Sequence, residues 1–300
     1  MKPSAFAYHA PRTLDEALAL AASLGNAKLL AGGQTLMPMM NFRFVQPDHL
    51  IDLNTVGELQ GIERVEGAAG TPGFLRIGAM TRQRDIERSA LVQRTAPLIP
   101  EAYALVSHPQ IRNRGTLGGS LCHLDPASEQ ACFLSAQGAT LVVRGPAGMR
   151  RVPMAEWVLG YMTPNLEEGE VLTTIECDLW PAGHGWAFEE YARRQGDYAI
   201  VGAAVLALPD ARGCIARLAV ALCGIAPGPV RLAEAEAAAV GQPPGEDLAR
   251  ALEAAAASED AMFDGHVTAD YRRHLARVLT GRAVRTALSR MRTLPQGATA

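Results

Sequence analysis

Ile111-Arg112-Asn113-Arg114-Gly115-Thr116-Leu117-Gly118-Gly119-Ser120-Leu121 is the stretch whose reading decides this chain. It follows Pro109, holds three glycines and shows no helical period, so residues 107–121 read as a long ordered loop. A second glycine turn lies upstream, in Leu30-Ala31-Gly32-Gly33-Gln34-Thr35-Leu36. Each turn follows apolar sequence, and a residue without Cβ lets backbone amides approach an anion closely. Gly118 or Gly119 is expected to bring backbone against phosphate oxygens in a conformation that side chains disfavour. Taken singly, either Gly-Gly is equally compatible with a simple tight turn. Taken together, two such turns can grip one pyrophosphate.

The rest of the sequence narrows the chemistry by exclusion. It has neither the G-x-x-x-x-G-K-[ST] of a P-loop nor the G-x-G-x-x-G of a Rossmann turn, so a diphosphate would be held in another way. Zinc-hydrolase H-E-x-x-H and serine-hydrolase G-x-S-x-G are missing too. With 28 Lys+Arg against 31 Asp+Glu the formal charge is −3, which argues against a nucleic-acid partner. Apolar residues make up 48% of the 300, enough for a substantial core. The most apolar run, residues 199–208, is strand-sized and gives no membrane span. Residues 1–6 lack the apolar stretch of a secretion signal, so a cytoplasmic location is expected. Cys122, Cys132, Cys177, Cys214 and Cys223 contain no C-x-x-C pair and read as buried thiols, with no metal expected on this chain.

Local signals give the organisation. Thr13-Leu14-Asp15-Glu16 is a capping box opening a helix that Gly25-Asn26 ends. A strand at 27–31, a helix limited by Pro38 and a strand at 49–53 complete a small βαβ-like unit. Residues 61–79 read as a hairpin turning at Gly70-Thr71-Pro72-Gly73, followed by a helix capped by Thr81 and another over 96–106. Asp125-Pro126 opens a further helix, with Asp as cap and Pro at the first position. Strands follow at 140–144, 150–153 and 171–179. After Trp180-Pro181-Ala182-Gly183 the composition changes, with strands at 199–208 and 214–223 and Ala-rich helices at 230–240, 246–258 and 268–291, so a domain boundary falls near 177–185.

The two glycine turns, taken with Arg193-Arg194-Gln195-Gly196-Asp197-Tyr198-Ala199-Ile200, closely resemble the FAD-binding medium subunit of molybdenum hydroxylases. That family includes the carbon monoxide dehydrogenase medium subunit and the flavin portion of xanthine dehydrogenase. The resemblance implies an α+β fold. A PCMH-type FAD-binding domain over 1–177 has two α/β subdomains, about 1–56 and 57–177. A smaller domain over 178–290 has a three-stranded sheet and a helical bundle, and 291–300 form a tail.

The resemblance also implies noncovalent FAD, with the amides of Gly32, Gly33, Gln34 and Thr35 on one side of its pyrophosphate and Thr116, Gly118, Gly119 and Ser120 on the other. Lys28 and Leu29 would line the adenosine side, Leu30 and Ala31 would lead into the turn, and Leu36 would pack near the ligand. Asp125 resembles the family's acidic residue by the second turn. One departure stands out: where relatives carry an acidic residue, an apolar one and Pro, this chain has Glu129-Gln130-Ala131.

Other residues have two readings. Asp125 serves equally well as a helix cap. His123 reads as an ordinary loop histidine. Phe188 and Tyr198 are candidates to lie against the isoalloxazine, since flat apolar faces pack on flavin rings, though aromatics in apolar strands commonly join the core. Arg193, Arg194 and Asp197 suit an ion pair at the domain junction, and Arg112 and Arg114 read as solvated loop charges.

The function the resemblance implies is electron transfer. Substrate is oxidised at a molybdenum cofactor on a large molybdopterin-binding subunit, and electrons pass through two [2Fe–2S] clusters on a small subunit to the FAD of this one, then to an external acceptor. No side chain here is assigned as catalytic, because the flavin carries the redox chemistry. The assembly is a heterotrimer or a dimer of heterotrimers. Two rival readings remain: a self-sufficient PCMH-fold flavin oxidoreductase, in which the lone chain would oxidise a small substrate, and a noncatalytic assembly subunit without flavin, whose complex would be colourless.

Overall fold

The computed structural model describes residues 1–67 and 72–293. Near the N-terminus three parallel strands pair in the order Ala7–His9, His49–Asp52, Ala27–Leu30. The helix Leu14–Ser23 starts where expected, with the Thr13 hydroxyl accepting from the Glu16 amide, while the Glu16 carboxylate takes the amide of Arg12. A second, six-residue helix, Leu36–Asn41, leaves the first glycine turn.

An antiparallel sheet of five strands follows, ordered Ile62–Val65, Phe74–Gly78, Val171–Asp178, Ala139–Gly145, Gly148–Pro153. Alternate residues Leu75 and Ile77, Leu141 and Val143, and Ile175 and Cys177 are buried, as period-two patterning requires. The expected hairpin turn at 70–73 begins in the undescribed segment 68–71, and most of the tail, 294–300, lies outside the described residues as well.

Three local readings are corrected. Residues 107–121 are no continuous loop: they hold the short helix Pro109–Arg112 and the start of Leu117–His123, capped by the Thr116 hydroxyl. Two glycines at the start of that helix hid it, since each costs about 1 kcal/mol in helix propensity. Thr81 is not a cap either; its hydroxyl bonds the backbone of Gly61, and the helix Gln83–Arg88 begins after Arg82. Nor does Asp125 cap the next helix. Its carboxylate accepts from the Ala127 amide in a local turn, and Ser128 caps Glu129–Gln137. The missing proline after Glu129 leaves this helix entry intact.

The C-terminal sheet is antiparallel, with Gly185–Tyr191, Val201–Pro209 and Ile215–Cys223 as long strands. The first of these lies outside the strands expected from the sequence. Two residues, Val230–Arg231, add a short edge strand, so the helix expected from 230 begins later, as Ala233–Ala239. Helices Glu246–Ser258 and Ala269–Arg290 cover one face, burying Ala203, Val205 and Ala207. The opposite face, with Ala204, Leu206, Ala219 and Ala221, joins the core of the preceding domain. There it meets Glu129–Gln137, a helix whose nine residues are all buried. Burial on both faces explains the unbroken apolar run of 201–207.

Candidate functional site

The two glycine turns meet across one cavity of about 810 Å³, within the range of small-molecule sites. The first turn follows directly from the strand Ala27–Leu30, and Gly33 takes φ +72°, a conformation that favours glycine. Among the described residues, the amides of Gly32, Gly33, Gln34 and Thr35 have no hydrogen-bond partner. Four backbone donors left free beside a cavity suit an anion. The Gln34 side chain closes the turn by donating to the Gly32 carbonyl at 3.1 Å.

The second turn contributes differently. Leu117 donates to the Thr81 carbonyl, Gly118 to that of Ala79 at 2.8 Å, and the Gly119 amide to the Thr116 hydroxyl at 3.1 Å. Gly118 and Gly119 are helical with negative φ, so the expected disfavoured conformation is absent. Space is what demands glycine here. A Cβ on Gly118 would lie 2.6 Å from the Ala79 Cβ, and one on Gly119 would lie 3.1 Å from that of Ala31. Gly32 fits as closely, its Cβ position running into the Arg114 carbonyl oxygen and 2.8 Å from the Gly115 Cα.

Most of the residues singled out in the sequence face this cavity: Lys28, Leu29, Ala31, Gly32, Gly33, Gln34, Thr35 and Leu36 from the first turn, Thr116, Gly118, Gly119, Ser120 and Asp125 from the second, and Tyr198 at the mouth. Two do not. The Leu30 side chain packs beneath Gly33, 3.3 Å from where a Cβ would sit. Phe188 is 5% exposed in the interdomain core and its amide donates to Glu101, so it cannot lie against a ligand in the cavity. The strand register directs it inward.

Sequence reasoning missed Glu129, which lines the cavity although the residue is only 6% exposed. Burial first, then the charge of Asp125, pushes its pKa up to about 7. The available signal is an acidic residue just after a Ser cap, in a helix with no other charged residue. Behind it, Glu190 is pushed up to about 8 by burial and by Glu129, and its buried Oε2 has no partner among the described residues. Tyr198 is largely exposed, but desolvation on its cavity side and the nearby Asp125 and Glu129 carboxylates still raise its pKa. Cys122 and His123 also line the cavity, and burial raises the thiol to about 12 and lowers the imidazole.

Two charge readings change. Arg112 is buried, not solvated: it pairs with Glu87 at 2.9 Å and donates to the carbonyls of Val106 and Ser107, holding the approach to the second turn. Arg193 and Arg194 are exposed and, among the described residues, neither they nor Asp197 forms an ion pair. Their segment crosses the cavity mouth at Gly196, Asp197 and Tyr198, with Gly196 at φ +86° against the His108 ring.

A small parallel sheet beside an antiparallel one, with a glycine turn leaving the first and a glycine-opened helix facing it across a cleft, is the architecture of an α+β domain of the PCMH flavin-binding type. Residues 4–177 match the FAD binding domain in molybdopterin dehydrogenase, and residues 186–287 match the CO dehydrogenase flavoprotein C-terminal domain; the chain belongs to this family. It is 39% identical over 292 residues to the carbon monoxide dehydrogenase medium chain of Hydrogenophaga pseudoflava, covering 97% of this chain and 99% of that one. It is also 39% identical over 294 residues to the caffeine dehydrogenase subunit beta of Pseudomonas sp. (strain CBB1), covering 97% of each. A solved carbon monoxide dehydrogenase from Hydrogenophaga pseudoflava, which lacks the Mo-pyranopterin moiety of the molybdenum cofactor, superposes with a TM-score of 0.92 at 40% identity, covering 97% of this chain and 100% of that chain.

Proposed function

We propose that this chain is the FAD-binding medium subunit of a molybdenum hydroxylase. It accepts electrons from [2Fe–2S] clusters on a small partner subunit and passes them to an external acceptor, while substrate is oxidised at a molybdenum cofactor on a large molybdopterin-binding subunit. The observation that carries this reading is the set of four unpartnered amides, Gly32 to Thr35, facing the glycine-lined start of Leu117–His123 across one cavity. FAD, when bound, supplies the redox chemistry.

This chain's residues do the binding and orienting. The first turn donates its amides to the pyrophosphate, and Gly118 and Gly119 let the start of Leu117–His123 pack close to Ala79 and Ala31, which sets the facing wall. Lys28 and Leu29 border the adenosine side, Asp125 and Glu129 form a polar wall, and Tyr198 covers the mouth. Residues 1–177 carry the cleft, and 178–290 supply the segment across its mouth. Relatives of equal identity are named for carbon monoxide and for caffeine, which supports substrate selection on a partner subunit. The assembly is a cytoplasmic heterotrimer or a pair of such trimers.

Purification with its co-expressed partners tests the reading. One noncovalent FAD per chain, released into the supernatant on acid precipitation, is expected, together with no substrate oxidation by the lone flavin-loaded chain. A complex whose acid supernatant holds no flavin, or flavin retained in the pellet, overturns it.

A further inference from the structure

The first glycine turn leaves the parallel sheet and the second opens the helix Leu117–His123, and a continuous run of hydrogen bonds links the two. The backbone of Arg82 bridges that of Thr116, and the next amide, Gln83, donates to the Gly115 carbonyl at 2.9 Å. The Arg82 guanidinium donates to the Arg114 carbonyl at 2.5 Å with one nitrogen and to Asn54 Oδ1 at 2.6 Å with another. Asn54 in turn donates from Nδ2 to the Ala31 carbonyl at 2.9 Å. Asp52 steadies Asn54 by accepting from its backbone amide at 2.8 Å, and Tyr8 donates to the same carboxylate at 2.5 Å.

The Ala31 carbonyl and the Gly32 amide belong to one planar trans peptide, in which C=O and N–H point in opposite directions. Holding the Ala31 oxygen on Asn54 therefore fixes where the Gly32 N–H points. Arg82 is not among the residues lining the cavity, so it acts on the ligand only through the two turns.

We propose that Arg82 and Asn54 are positioning residues that clamp the two glycine turns at the spacing and amide orientation required by the FAD pyrophosphate. The clamp rests on the FAD reading given above. It works by geometry: one planar guanidinium spans two acceptors that a lysine ammonium, a point donor, cannot hold in the same fixed fork.

The test uses the full chain with Arg82→Met, Arg82→Lys, Asn54→Ala, the Arg82→Met/Asn54→Ala double variant and Gly32→Ala. FAD affinity is read from flavin fluorescence quenching and ADP affinity by competition, alongside melting of the flavin-free chain. All titrations are run far below the melting transition, where a loss of global stability alone leaves Kd unchanged. Each single variant is expected to weaken both FAD and ADP by about tenfold, the worth of one lost charge-assisted hydrogen bond. The double variant should be no weaker than its weaker parent, because both substitutions cut the same connection. Parent-like affinity in both Arg82 variants, or full rescue by Arg82→Lys alone, overturns the clamp. If Gly32→Ala binds poorly in that same assay, the FAD reading survives the clamp's failure. If Gly32→Ala also binds like the parent, the cleft assignment falls and the clamp with it.

Discussion

Gly32 and Arg114 touch so closely that the Cβ position of one is filled by the carbonyl oxygen of the other, although 82 positions of sequence separate them. A Gly32→Ala substitution must push the two turns apart. FAD affinity is expected to fall roughly tenfold or more, since overpacking of this kind costs about 1–3 kcal/mol. Fluorescence titration checks this, and an unchanged Kd would show that the turns do not grip one ligand together.

Gly118 and Gly119 are adjacent yet should respond differently. A methyl on Gly118 meets Ala79 in the interior, so Gly118→Ala should lower the melting temperature more than it lowers FAD affinity. A side chain on Gly119 presses on Ala31, beside the first turn, and on the capping hydroxyl of Thr116. Gly119→Val should thus weaken FAD by about tenfold or more through contact, without any penalty for positive φ. Comparing melting with FAD titration for both variants separates the two effects.

Phe188 and Tyr198 form another contrasting pair. Truncating buried Phe188 to Ala should cost about 3–5 kcal/mol of stability while leaving the flavin absorption spectrum unshifted. Tyr198 is 65% exposed at the cavity mouth, so Tyr198→Ala should change stability by less than about 0.5 kcal/mol yet shift the flavin visible bands. Denaturant unfolding and absorption spectra of the two variants suffice, and a shifted spectrum in Phe188→Ala alone would reverse the assignment.

Glu129 makes a pH prediction. Its folded pKa of about 7 lies above the unfolded value near 4.3, so the native state binds the extra proton between those values and stability falls as pH rises through that window. Glu190, raised to about 8, extends the decline upward. Glu129→Gln removes one slope and relieves the other, and should stabilise the flavin-free chain by on the order of 1–3 kcal/mol above about pH 7 while changing little near pH 4. Denaturant midpoints across that range decide it; a variant that tracks the parent at every pH would show that Glu129 is ionised without penalty.

The sequence by itself determined those features whose physics is local. Thr13 and Glu16 announce a helix start because cap and orphan amide lie within one turn, and Ala27 to Leu30 run straight into a glycine turn whose positive φ at Gly33 side chains disfavour. Three separated motifs in order were enough to indicate the family. Tertiary structure decided what depends on distant partners. Gly118 and Gly119 sit in a helix despite poor propensity because Ala79 and Ala31 press where side chains would be, and Arg112 is buried because Glu87 waits 25 residues away. The register of Gly185–Tyr191 on Val201–Pro209 sent Phe188 into the core. Glu129 acquired its shifted pKa when the C-terminal sheet covered its helix, a burial that no window of neighbouring sequence contains.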